Sequence, residues 1–113
     1  MSQQPEFPEK DIRRRCAPLL GGAAEESRRL NHNYIGVEHL FVAMTKIEGG
    51  VAHKMLDRAG LNPRAVRNEI RREIGTGEGS YEEVLPMTPR VLMVLSLAIF
   101  LAERDDADDV TED

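Results

Sequence analysis

Apolar residues recur at helical spacing in several stretches of this chain, and no stretch shows the sustained alternation of a half-buried strand. Val37, Leu40, Phe41, Met44 and Ile47 make one stripe and predict a helix over 37–47, closed by Gly49-Gly50. Val51, Met55, Leu56 and Ala59 predict a second helix with those side chains inward and Gly60 as its stop. Asn62-Pro63 pairs a capping oxygen with a proline suited to the first helical position, and Val66, Ile70 and Ile74 carry that helix to 74. Thr88-Pro89 repeats the signal and opens a helix to Arg104 that is apolar around most of its circumference. The stretch 12–30 is less regular. Pro18 cannot sit inside a helix, and Gly21-Gly22 weakens one. The helix therefore starts near Ala17, or starts near Asp11 and bends. The favoured span is 18–30, with Leu19, Leu20, Ala23, Ala24 and Ser27 inward. Residues 1–11 read as a disordered lead-in, 31–36 as a loop, and Gly75–Ser80 as a flexible link at the start of a linker over 76–86. The predicted fold class is all-α.

Composition supports one small domain. The 113 residues contain one Cys, no Trp and no apolar run approaching a membrane span, and no signal peptide is visible. The expected location is cytoplasmic. The net charge of −5 is unevenly spread: residues 1–75 hold 13 basic and 10 acidic side chains, residues 76–113 hold 2 and 10. An acidic total disfavours nucleic acid, whose affinity rests on neutralising phosphates. Arg13–Arg15 and the group Arg64, Arg67, Arg71 and Arg72 read as solvated helix faces with nearby acidic partners rather than as a phosphate stripe, and no aromatic residues interleave with them.

Candidate chemistry is sparse. His32 and His39 stand seven apart beside Glu38, a spacing that matches no zinc motif, and no metal or cofactor is expected. Cys16 lacks a base or oxyanion partner in sequence and reads as a small apolar residue. No enzyme is expected.

A shift of 75 residues, without gaps, lays Ile12 on Met87, Arg15 on Arg90, Leu19 on Val94, Leu20 on Leu95 and Ala23 on Ala98. Two copies of one helical unit would share a face that neither buries alone. The stretch Asn31-His-Asn-Tyr-Ile-Gly-Val-Glu-His-Leu40 then resembles the signature of the Clp N-terminal domain, the repeat module in front of AAA+ unfoldases such as ClpC and ClpA. Further resemblances follow in order: Glu48-Gly-Gly-Val-Ala-His53, Leu56 to Leu61, Ile74-Gly-Thr-Gly77 and Met87-Thr-Pro-Arg90. Val37 stands where the family usually has Thr, Arg13 where it has a capping Thr, and 105–111 is acidic where a second signature would fall.

The resemblance implies one four-helix repeat over 12–75 and, over 87–113, the first helix of a second repeat with an acidic tail. It implies a non-catalytic interaction module that binds adaptors or substrate proteins, unfolded or bearing phosphoarginine, for an ATP-dependent unfoldase or protease. The family's ligand positions fall on Glu38, Thr88 and Asp113. No phosphate-binding loop of the nucleotide type is present. With the second repeat cut short, Leu92, Leu95 and Ile99 are expected to form an outer face of the last helix, through which a homodimer could assemble. The other reading is a stand-alone helical dimerisation or regulatory module.

Overall fold

A computed structural model describes residues 7–104, which form six helices: α1 Glu9–Arg15, α2 Ala17–Arg29, α3 Val37–Thr45, α4 Val51–Arg58, α5 Pro63–Ile74 and α6 Pro89–Arg104. Among these residues the only extended pairing is a single parallel bridge between Ile35 and Met87. The all-α prediction holds.

Pro18 decides how the chain begins. Its missing N–H and its ring exclude it from a helix interior, so α1 ends at Arg15, Cys16 takes φ −107° and ψ 19°, and α2 restarts with Pro18 in its first turn. The favoured helix over 18–30 is present as α2, and a separate helix, α1, precedes it across Cys16. Residues 9–11 belong to α1 rather than to a disordered lead-in, and 1–6 lie outside the described residues. The bend turns Ile12, Cys16, Leu20 and Ala23 to one side, where they meet Val91, Leu95 and Ile99 of α6 together with Ile35, Leu40, Leu85 and Met87. The 75-residue offset survives in this core, since Ile12 and Met87, Cys16 and Val91, and Leu20 and Leu95 are all buried.

The crossing of α2 with α3 is close because Gly22 has no side chain. A Cβ there would stand 3.3 Å from Ala43 Cβ. Beyond Gly22, Glu26 is 1% exposed and anchors α5. Arg71 grips its carboxylate with two bonds, Nε to Oε2 at 2.7 Å and a second N–H to Oε1 at 3.0 Å. Lys46 stands 3.5 Å away and Arg29 4.0 Å. Burial pushes this carboxyl up, but the Arg71 hydrogen bonds and the three cations outweigh it and hold it below the ordinary glutamate range. Arg67 donates to the Thr45 carbonyl at 3.1 Å. Two of the four arginines read as solvated therefore tie α5 to the bundle, whereas Arg72 pairs with Glu69 on the surface. No residue of α5 is fully buried, so these polar links matter more there than elsewhere.

Three further expectations change. In α4 the inward stripe is Ala52 and Leu56, while Val51 and Met55 are each 55% exposed. An eight-residue helix packed on α3 and α5 alone has room to cover only one stripe. Ile47 falls after the end of α3 and is exposed. The segment after α5 is held rather than loose: Gly77 N–H donates to the Leu30 carbonyl (3.0 Å), Gly79 N–H to that of Asn31 (2.6 Å), and Arg28 donates to the carbonyls of Glu82 (2.9 Å) and Glu83 (2.7 Å). A Cβ at Gly77 would fall 2.5 Å from the Asn31 carbonyl oxygen, so only glycine permits this approach.

Replacing Ile99 by Ala should cost about 2–5 kcal/mol in urea unfolding, because it opens a cavity. Leu97→Ala, on the exposed side of α6, should stay within about 0.5 kcal/mol. Arg71→Ala should cost about 3–5 kcal/mol, since it strips the main partner from a buried carboxylate. The lowered Glu26 pKa gives stability that is present above the unfolded value near 4.5 and is lost as pH falls through the folded one. Acid unfolding of Arg71→Ala should accordingly begin at higher pH than that of the wild type.

Candidate functional site

Two helix starts lie side by side. Ile35 N–H donates to the Pro86 carbonyl at 2.8 Å, and Thr88 N–H donates to the Ile35 carbonyl at 3.0 Å. Gly36, next to Ile35, caps α3. Thr88 caps α6, its Oγ1 accepting from the Val91 N–H at 3.3 Å. The polar first turns of α3 and α6 are thereby set on one side of the molecule by a pair of backbone bonds.

Glu38 sits in the first turn of α3 and is exposed. A Cβ on Gly36 would lie 3.0 Å from Glu38 Oε1 and 3.0 Å from Tyr34 Cε2, so glycine leaves room for the carboxylate and the phenol ring to close over the backbone. The aliphatic stem of Glu38 also lines a wholly apolar groove of about 400 Å³ whose other walls are Val37, Leu40, Phe41, Met44, Ile70 and Val94. An acid at the edge of an apolar trough can accept two parallel bonds from a guanidinium while the trough takes an aliphatic or aromatic side chain.

Behind Glu38 the loop is built from rings. His39, fully buried, stands at the third position of α3, and its Nδ1 accepts from the Gly36 N–H at 2.9 Å, the return bond that a Glu or Gln makes in a capping box. That leaves the His39 proton on Nε2, which faces His32 Nδ1 at 2.8 Å. Tyr34 packs on both rings, with centroids 5.4 Å from His32 and 5.2 Å from His39. Ser27 on α2 donates to the Tyr34 carbonyl. Burial first, and the adjacent His32 ring second, lower the His39 pKa below the histidine norm, against smaller upward effects of Glu38 and Glu26. The two histidines thus act as a hydrogen-bonded pair, and no group of three or more potential metal-binding side chains occurs among the described residues.

The predicted positions fare unevenly. The helix starts that carry Glu38 and Thr88 are linked through Ile35, a long-range backbone pairing with no local signal in the residues. Asp113 lies outside the described residues, as does most of the acidic tail. The expected outer face of the last helix is corrected: Leu95 is 2% exposed and Ile99 is fully buried, and Leu92 packs partly against the same core. They lie inward because Val91, Leu95 and Ile99 continue the four-residue ladder that meets α1 and α2. The exposed apolar side chains of α6 are Met93, Val94, Leu97, Phe100 and Leu101. The repeat offset held the signal for this, since Leu101 corresponds to Glu26 and Leu97 to Gly22, the positions that α3 and α5 cover on α2.

A family model described as the Clp repeat (R) N-terminal domain matches residues 14–112. The chain belongs to the Clp repeat N-terminal domain family. Relatives are 38% identical over 77 residues, covering 68% of this chain. They include an ATP-dependent Clp protease ATP-binding subunit ClpA homolog, chloroplastic, of Brassica napus and the chloroplastic chaperone protein ClpC1 of Oryza sativa subsp. japonica. The chain spans 9% and 8% of those two proteins, less than a tenth of their length. The N-domain of ClpV from Vibrio cholerae shares the fold, with a TM-score of 0.72 at 15% identity over 97% of this chain and 69% of that one. In Clp N-domain terms, α1 and α2 together, α3, α4 and α5 make one four-helix repeat, and α6 is the first helix of a second.

Glu38→Gln should leave unfolding stability within about 0.5 kcal/mol, as expected of an exposed side chain. Thr88→Ala should lower it by about 0.5–2 kcal/mol through loss of the cap. Chemical denaturation of both variants checks the two roles.

Proposed function

We propose that this chain is a non-catalytic interaction module that receives adaptors or substrate proteins on behalf of a Clp-type ATP-dependent unfoldase or protease. The observation that carries the reading is the exposed Glu38 carboxylate at the edge of an apolar groove, one backbone bridge away from the Thr88 hydroxyl. That pairing suits a polypeptide presenting an arginine or phosphoarginine beside an apolar side chain. Glu38 takes the guanidinium, Thr88 offers a hydroxyl at the neighbouring helix start, and Phe41, Met44, Ile70 and Val94 take the apolar neighbour. The work is binding, and the proposal assigns no cofactor. A cytoplasmic location belongs to the proposal, although the relatives named above are chloroplastic; no described helix is long and apolar enough to cross a membrane. A nucleic-acid regulator is disfavoured by the net charge of −5 and by the engagement of Arg13, Arg15, Arg67 and Arg71 within the bundle.

Titration of the labelled protein with a phosphoarginine-bearing peptide, followed by NMR, tests the assignment. Amide shifts at 36–40 and 88–90 and at least a tenfold loss of affinity in Glu38→Gln, roughly the 1.4 kcal/mol of one charge-assisted bond, are the expected results. Binding unaffected by that change, or shifts confined to other surfaces, would refute the role of Glu38.

A second surface favours self-association. Met93, Val94, Leu97, Phe100 and Leu101 leave one side of α6 apolar and exposed, and a second copy of the chain could cover it. Sedimentation in the micromolar range should then show dimers that Leu97→Lys dissociates; a monomer throughout would rule this out.

A further inference from the structure

The His32–His39 pair sits where the loop over 31–36 meets the segment over 76–88. The loop and the adjoining Leu30 give three carbonyls to that segment: Leu30 to Gly77, Asn31 to Gly79 and Ile35 to Thr88. The Ile35 N–H in turn donates to the Pro86 carbonyl. His32 is itself nine-tenths buried, and a Cβ on Gly77 would lie 3.1 Å from its Cδ2, so the His32 ring and the Gly77 backbone are packed together. Each ring holds the loop in place through one proton arrangement only. The Gly36 N–H points at His39 Nδ1, and the His39 Nε2–H points at His32 Nδ1. A proton added to His39 Nδ1 would face the Gly36 N–H, and one added to His32 Nδ1 would face the His39 Nε2–H. Neither nitrogen can take a proton without losing the bond it now accepts.

We propose that the His32–His39 pair is an acid-released latch: neutral, it clamps the 31–36 loop onto the 76–88 segment, and on uptake of one further proton it lets that segment and the start of α6 come away. The charged and titratable groups around it are few. Glu26 and Arg28 come from α2, Tyr34 from the loop, Glu38 from α3 and Glu78 from the 76–88 segment, while Arg71 of α5 neutralises Glu26. Glu26 and Glu38 favour the added proton, but burial and the opposing ring outweigh them at His39. A histidine held below its unfolded value near 6.5 contributes stability that is fully present above that pH and is lost as pH falls beneath it. The latch is therefore weakened as pH falls below that value. It operates whatever the Glu38 groove binds.

Hydrogen exchange read residue by residue tests the latch. Between pH 7.5 and 5, after correction for intrinsic rates, protection of the Ile35, Gly77, Gly79 and Thr88 amides should fall about tenfold. The Ala23 amide in α2 should keep its protection. In His39→Gln, whose amide can accept from Gly36 without titrating, the same four amides should change less than half as much as in the wild type. The wild-type protein supplies an independent measurement: imidazole nitrogen spectra at pH 7.5 should place the His39 proton on Nε2 with Nδ1 bare. Constant protection down to pH 5, an equal loss at Ala23, an unchanged pH response in His39→Gln, or a proton on His39 Nδ1 at pH 7.5 would each overturn the latch.

Discussion

The two backbone hydrogen bonds at Ile35 hold the architecture in register. One accepts Thr88 and the other reaches Pro86, so a single residue of the first repeat fixes where the second repeat begins. Once Thr88 is placed, the helical spacing of α6 carries Val91, Leu95 and Ile99 into the face made by Ile12, Cys16 and Leu20. The bundle is thus assembled around a short stretch of extended chain within an otherwise helical protein. Backbone polar groups buried at such a junction need partners, and here each half supplies them to the other.

The same junction brings the candidate ligand positions together. Glu38 lies two residues after the cap of α3 and Thr88 is the cap of α6, and both caps adjoin Ile35. At Gly36 a Cβ would press at 3.0 Å on the carboxylate and on the ring of Tyr34, so both would have to give way to a larger residue. The histidines then take the place of the polar side chains that usually finish a helix start. His39 returns a bond to Gly36 as a glutamate would, but a histidine brings an ionisable ring into the interior, which a glutamine in the same place would not.

What could be read from the residues divides along the range of the forces involved. Asn62-Pro63 and Thr88-Pro89 declare their helix starts because capping acts within one turn, and both starts fall where expected. The apolar stripe of α3 is legible for the same reason. The signature around Tyr34 to Leu40 gave the family, and with it the four-helix repeat. The inward turn of Arg71 was not legible, because its partner Glu26 is 45 residues away and looks in sequence like any surface acid. Nor was the hold on 75–80, where glycines that suggest freedom instead admit a carbonyl at close range. The faces of α6 were misjudged because a helix apolar on all sides carries no internal mark of which side is covered. Only the comparison of Glu26 with Leu101 across the repeat separates them.

Gly22 and Leu97 occupy equivalent registers on α2 and α6, and the difference in their size sets a rule for anything that lies across α6. On α2 a hydrogen atom lets the crossing helix approach until the Ala43 methyl closes on the Gly22 backbone. On α6 the isobutyl group of Leu97 would hold a crossing helix farther off, toward the wide end of the 8–10 Å range of interaxial distances. A visitor that rests there must offer alanine or glycine opposite Leu97, or cross at an angle that drops this side chain into a gap between its own ridges. Two faces in equivalent register across the 75-residue offset therefore make different steric demands, one matched to a helix of its own chain and the other admitting only slender side chains.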